Sequence, residues 1–210
     1  MDELRKEVLD LPSMVGQNQV RQVSTKESHF WPSEANSKTF NVITYDFGIK
    51  YNILMIMTNL GMSVTLIPLN TNVEEVKGMN PHGIFLSNWP GEPVGVNEGV
   101  EAVRKLLGKL PIFGICLGHQ ILSLALGCQT YKLACGQHGE NHPVIDFSIN
   151  KIEITIHNHG FSFDEKSLPK NVSVTHRNLN DKTIEGIESL INPAFSLQYH
   201  SEVAPGPRHA

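Results

Sequence analysis

No apolar run in this 210-residue chain approaches the ~20 residues that span a bilayer as a helix; residues 53–57 and 121–126 are among the longest. That shortage argues against a membrane role. Positive charge is also scarce. The 17 Lys+Arg face 21 Asp+Glu, a formal net charge of −4 with the ten histidines neutral, so the basic footprint of a nucleic-acid binder is missing. Cysteine appears three times, at Cys116, Cys128 and Cys135, an odd number too small for a disulfide framework. With no charged-then-apolar leader pattern, the expected location is cytoplasmic. A Gly-x-x-x-x-Gly-Lys-Ser/Thr phosphate loop is absent as well. What remains is an ordinary globular balance, 40% hydrophobic and 18% charged, which excludes disorder as the main state.

The first 39 residues are polar and weakly periodic, with one helical stripe at Leu4, Val8 and Leu11 and a capping-box pattern from Ser24 to Glu27. They read as a linker or the remnant of an upstream domain. From residue 40 the pattern changes. Strand-like residues 40–45, 63–69, 83–87 and 111–115 alternate with helical stretches at 49–60, from about 71, and at 97–107. This alternation predicts an α/β fold with an open, mostly parallel sheet flanked by helices. Beyond Gly127, short β-rich segments at 151–156, 172–176, 183–187 and 194–199 suggest mixed or antiparallel additions. One α/β domain over residues 40–210 is the simplest account.

The most informative segment is Gly114-Ile-Cys-Leu-Gly-His-Gln120, in which a buried strand runs straight into a helix. A nucleophile on such a tight turn sits in strained backbone, so residues two before and two after must be small. Gly114 and Gly118 meet that need. The helix N-terminus favours a thiolate at Cys116, and the Leu117 N–H can receive a developing oxyanion. Cys128 and Cys135 have no such surroundings and read as structural. His119 lies close in sequence, but on the helix it is expected to point away. The better base is His200, with Glu202 two residues on; in extended geometry both project to one side, so the carboxylate can orient the imidazole. A Cys116-His200-Glu202 triad follows.

Together these motifs resemble the class I, or triad, glutamine amidotransferases. Further segments are similar to the glutaminase domain of the carbamoyl-phosphate synthetase small subunit: Tyr45-Asp-Phe-Gly-Ile-Lys-Tyr-Asn-Ile53, Asn80-Pro-His-Gly-Ile-Phe-Leu-Ser-Asn88, Gly139-Glu-Asn-His-Pro-Val144, Asn158-His-Gly-Phe161 and Pro193-Ala-Phe-Ser196. The resemblance implies a flavodoxin-like amidotransferase fold and hydrolysis of L-glutamine to glutamate and ammonia through a glutamyl thioester. By family position, Leu117 and Trp89 offer oxyanion N–H groups, and Trp89, Gly91, Leu117, Gln120, Asn158, Gly160 and Phe161 line the glutamine site. The implied partner is a large synthetase subunit that receives ammonia for carbamoyl phosphate, an entry to arginine and pyrimidine biosynthesis. ATP and Mg belong to that partner, and no cofactor is expected in this chain.

Three departures qualify the resemblance. The family's Ser-Asn-Gly-Pro-Gly-Asp-Pro is here Ser87-Asn-Trp-Pro-Gly-Glu-Pro93. A tryptophan forced to positive φ costs about 1–2 kcal/mol, whereas Pro90 pushes Trp89 toward extended backbone. Ser201 replaces a proline between the histidine and the glutamate. Cys135, His138 and His142 imitate metal-ligand spacing, but without a fourth ligand a structured loop is the preferred reading and no metal is expected. His82, His157, His159 and His176 are likewise expected to be loop or hydrogen-bonded strand residues. The resemblance also implies an upstream domain and a C-terminal helix, neither of which is expected in full in this sequence. The alternatives are a catalytically impaired scaffold or regulatory subunit, and an amidotransferase subunit for another acceptor.

Overall fold

The fold is taken from a computed structural model, which describes residues 4–7, 19–32, 40–88, 91 and 93–203. In chain order the elements are α1 (Val20–Val23), β1 (His29–Trp31), β2 (Phe40–Tyr45), α2 (Tyr51–Asn59), β3 (Met62–Ile67), α3 (Val73–Gly78), β4 (Gly83–Leu86), α4 (Asn97–Leu106), β5 (Ile112–Ile115) and α5 (Leu117–Leu126). Five strands complete the set: β6 (Thr130–Asp146), β7 (Lys151–Phe163), β8 (Val172–Asn178), β9 (Ile184–Ser189) and β10 (Ala194–Leu197).

Among the described residues these strands form one ten-stranded sheet in the order β1-β3-β2-β4-β5-β10-β9-β8-β6-β7. The block β3-β2-β4-β5-β10 is parallel. The remaining strands join it antiparallel. Side chains alternate across the sheet as the strand period requires. Ile84 and Leu86 of β4 pack in a core with Val100, Val103 and Leu106 of α4 and Ile121 and Leu122 of α5. Phe85, between them, packs in a second core with Ile53, Leu54 and Met57 of α2. Each fully buried aliphatic side chain of this kind contributes about 1.5–3 kcal/mol of hydrophobic stabilisation. Both faces of the parallel block are therefore covered, as its predominantly apolar strands require.

Several expectations change in detail. The capping box at Ser24 does not form, because Ser24 closes α1 and the chain runs on to β1. Its hydroxyl instead accepts from the Leu69 N–H at 3.3 Å, and the Thr25 N–H donates to Asp46 Oδ2 at 2.8 Å. Within the stretch read as a linker, β1 pairs antiparallel with β3. Val8 and Leu11 of the helical stripe lie outside the described residues. Of the short segments expected after Gly127, 172–176, 183–187 and 194–199 appear as β8, β9 and β10, whereas 151–156 extends into β7 of a long β6–β7 hairpin with two register shifts. No helix among the described residues is long and apolar enough to cross a membrane.

Candidate active site

The carboxyl ends of β2, β4, β5 and β10 lie side by side in the sheet, and in a doubly wound fold that edge is where ligands bind. Each contributes to one cluster. After β5 the chain turns through Cys116, whose φ of 55° and ψ of −104° make it a non-glycine residue in the positive-φ region. Such backbone costs on the order of 1–3 kcal/mol. The conformation is held on both sides, by the Cys116 N–H donating to Leu197 O at 2.9 Å and the Cys116 carbonyl accepting from the Gln120 N–H at 3.2 Å.

The flanking glycines are steric necessities. A Cβ on Gly118 would stand 2.2 Å from Leu86 O, and one on Gly114 would stand 2.6 Å from the Gly118 carbonyl carbon and oxygen. Helix α5 therefore seats directly on the end of β4, and Leu117 opens its first turn. First-turn N–H groups have no intrahelical acceptor, which leaves the Leu117 N–H available beside the sulfur.

His200 and Glu202 follow β10. They do pair, His200 Nδ1 donating to Glu202 Oε1 at 2.8 Å, but extended alternation is not the cause. β10 ends at Leu197, and a tight turn takes over, the Val203 N–H reaching His200 O at 3.3 Å. The Ser201 N–H donates to Tyr199 O at 3.2 Å, a bond a proline there would forfeit. Burial of the His200 ring opposes its charge. Hydrogen bonds to Cys116 and Glu202, with the charges of both, outweigh that and raise its pKa to about 9. Burial likewise raises the Glu202 carboxyl, yet the bond and charge of His200, with Lys50 behind, hold it below the usual carboxylate range.

Three members of this cluster, Lys50, Asn52 and Asn88, escape a reading of the sequence. Lys50 Nζ lies 3.3 Å from Glu202 Oε1 and equally 3.3 Å from His200 Nδ1. Because Nδ1 spends its proton on Glu202, the lysine bond goes to the carboxylate. Asn88 Nδ2 is 3.5 Å from the same oxygen, and the Asn52 amide donates to the Glu202 carbonyl. Asp46 shapes the loop that presents Lys50, its Oδ1 accepting from the N–H groups of Gly48 at 2.8 Å and Ile49 at 2.9 Å. The Tyr45–Ile53 and Asn80–Asn88 motifs mark these positions in the sequence; their spacing alone does not show that they meet.

Beside Cys116 lies a cavity of about 250 Å³. Gly91, Cys116, Gln120, Asn158, Gly160 and Phe161 all line it, as do Lys132, Gly136, His138 and His159, for which no role was expected. Gln120 is pinned, its Nε2 donating to Phe161 O and Gln198 Oε1, both at 2.9 Å. Asn158 Oδ1 is 2.9 Å from His138 Nδ1. A Cβ on Gly160 would meet nothing within 4 Å, so bare backbone borders open space there. Trp89, the second expected oxyanion donor, lies outside the described residues. His119 points away from the sulfur toward Ser196 Oγ at 2.9 Å, and burial lowers its pKa to about 3. His138 engages Asn158 while His142 Nδ1 lies 3.2 Å from Asn178 Nδ2, so Cys135, His138 and His142 do not converge on one point.

Comparison with known proteins bears on the same region. The family model "Glutamine amidotransferase class-I" matches residues 43–210. A carbamoyl phosphate synthase small chain from Syntrophotalea carbinolica is 46% identical over 210 residues, covering 95% of this chain and 56% of that protein. Its counterpart from Pasteurella multocida is 48% identical over 206 residues, covering 93% and 54%. The chain thus spans about half the length of these relatives. A solved glutamine amidotransferase from Thermotoga maritima superposes with a TM-score of 0.62 at 20% identity, covering 78% of this chain and 76% of that one. At that identity the likeness establishes the fold.

Proposed function

The chain belongs to the class-I glutamine amidotransferase family, and from that membership we propose that it hydrolyses L-glutamine through Cys116, His200 and Glu202. The observation that carries this reading is a strained cysteine lining a cavity beside a carboxylate-held imidazole. The Cys116 thiolate attacks the side-chain amide carbon, and the tetrahedral oxyanion takes the Leu117 N–H, with the Trp89 N–H as second donor. The His200 imidazolium gives its proton to the amide nitrogen, ammonia departs, and a glutamyl thioester remains. Neutral His200 then takes a proton from water. The hydroxide adds to the thioester carbon, the C–S bond breaks, and glutamate leaves with the thiolate–imidazolium pair restored. Glu202, backed by Lys50, fixes the His200 tautomer throughout.

Gly91, Gln120, Asn158, Gly160 and Phe161 hold the substrate in this scheme. The named small-chain relatives support delivery of ammonia to a large synthetase subunit for carbamoyl phosphate synthesis; ATP and Mg act on that partner, and no cofactor is assigned to this chain. Trp89 motivates the competing reading of a scaffold that binds without turnover. Ammonia and glutamate release, together with hydroxylamine trapping of the acyl enzyme, tests both. The wild type is expected to yield γ-glutamyl hydroxamate, and Cys116→Ala to lose at least about 10³-fold in turnover. Equal release by both proteins would remove the proposed nucleophile, and glutamine binding without any release would favour the scaffold.

A further inference from the structure

Behind the cavity wall lies a cluster of buried side chains that the hydrolytic scheme does not use. His157, His159 and Glu185 are 1%, 5% and 0% exposed, and one ligand atom from each falls within 4.8 Å of the others. The neighbours fix where the protons are. His159 Nδ1 lies 2.9 Å from Phe161 O, a carbonyl that can only accept, so the hydrogen is on Nδ1 and Nε2 carries a lone pair. Thr155 donates its single hydroxyl hydrogen to His142 O at 2.9 Å and therefore accepts at 2.8 Å from His157 Nε2. That leaves a lone pair on His157 Nδ1.

These two bare nitrogens face each other at 3.1 Å. Glu185 Oε2 is 3.6 Å from His157 Nδ1 and, among the described residues, has no hydrogen-bond partner. With Glu185 ionised, three acceptors converge in a buried place with no donor between them, an arrangement that repels unless something positive, a proton or a metal ion, sits at its centre. Zinc ligands at about 2.0–2.1 Å in tetrahedral array stand roughly 3.3–3.4 Å apart, and the observed 3.1 and 3.6 Å separations straddle that value. A ligating histidine usually donates its other ring N–H to an outer polar partner, and here the Thr155 hydroxyl and the Phe161 carbonyl fill that role.

We propose that His157 Nδ1, His159 Nε2 and Glu185 Oε2 form a site for a divalent transition-metal ion of the zinc class. β7 and β9 are separated by β8 and β6 in the sheet order, so the ion joins strands that share no backbone ladder. His159 also lines the cavity beside Cys116. The cavity therefore gives the metal an entry path, and the ion braces the part of the wall that His159 forms. This site stands on side-chain geometry alone and is independent of the glutamine chemistry proposed above.

The test uses the full chain, stripped with a chelator and titrated with Co²⁺ and then Zn²⁺. The expected result is one equivalent of Co²⁺ per chain, with visible d–d absorption, no thiolate-to-metal charge-transfer band, and displacement by Zn²⁺. His157→Gln should lose the d–d band. Thr155→Val, which removes the outer partner of His157 and the bond to His142 O but no ligand, should weaken binding about 10–100-fold and keeps the test decisive if the ligand variant does not fold. Cys116→Ala and Cys135→Ser should leave the band intact. Absence of the band in folded wild type would overturn the proposal and leave a proton at the centre. So would a thiolate charge-transfer band that disappears with either cysteine, or a d–d band that survives His157→Gln.

Discussion

Replacing Gly118 with alanine inserts one methyl group at the tightest contact in the site. The new carbon would stand 2.2 Å from Leu86 O and 2.8 Å from the Leu86 carbonyl carbon, where non-bonded carbons ordinarily sit about 3.5–4.0 Å apart. Backbone supplies the obstacle, so no rotamer change relieves it; the start of α5 must lift off the end of β4 by about 1 Å. Overpacking of this size costs about 1–3 kcal/mol in stability. A 1 Å misplacement of a reacting group costs about 10²-fold in rate, and Cys116 is the residue displaced. The assay pairs urea unfolding with the second-order rate of Cys116 alkylation by an electrophilic glutamine analogue. Gly78→Ala is the control, since a Cβ there meets nothing within 4 Å; it should be neutral or stabilising by up to about 1 kcal/mol. A Gly118→Ala protein that matches wild type in both stability and alkylation rate would refute the steric basis of the elbow.

Further perturbations reach the rest of the site. His200 has its pKa raised above its unfolded value to about 9, so its stabilising contribution is complete below about pH 6.5 and fades as pH rises through about 9; Glu202→Gln should shrink that window and lower the imidazole titration midpoint, read by NMR of the ring protons. An unchanged midpoint would contradict the assigned pair. Gln120→Met leaves the Gln198 amide oxygen and the Phe161 carbonyl without their shared donor; it should cost about 1–3 kcal/mol in stability and raise KM for glutamine. Cys135 is exposed and lies outside the cluster, so Cys135→Ser should match wild type within about 0.5 kcal/mol by urea unfolding; a larger loss would give that cysteine a role the fold does not suggest.

The parallel block is legible in the sequence because its strands are short, predominantly apolar runs, most of them separated by helical stretches. The elbow is legible because a cysteine with glycine two residues before and two after it, between a strand and a helix, meets a specific steric demand. The β6–β7 hairpin is harder to read. Its Gly136, Gly139, Asn141 and Pro143 carry turn chemistry, yet the cross-strand ladder from Thr130↔Phe163 to Asp146↔Lys151 takes Gly136 and Asn141 into two register shifts and pairs Gly139 with His157 and Pro143 with Ile154. Pairing with a neighbour, a long-range effect, overrides local propensity. The same limit applies inside the site. Lys50 reaches His200 across 150 residues of sequence, and Asn88 reaches Glu202 across 114. Both stand in recognisable motifs, but only the order of β2, β4 and β10 in the sheet brings them together. For His200 and Glu202 the sequence predicts the right partners on the wrong backbone, because i, i+2 proximity arises in a tight turn as readily as in a strand. His157 and His159 read in the sequence as ordinary strand histidines. Their meeting with Glu185, which stands 26 residues beyond His159, depends on the sheet and not on local sequence.

A glutamine site built on Cys116 is tested most directly by treating the folded chain with 6-diazo-5-oxo-norleucine, with and without excess glutamine, followed by intact mass and peptide mapping. The expected result is one adduct per chain, located on Cys116 and suppressed by glutamine. Labelling spread over Cys128 and Cys135, or no labelling of Cys116 in demonstrably folded protein, would contradict it.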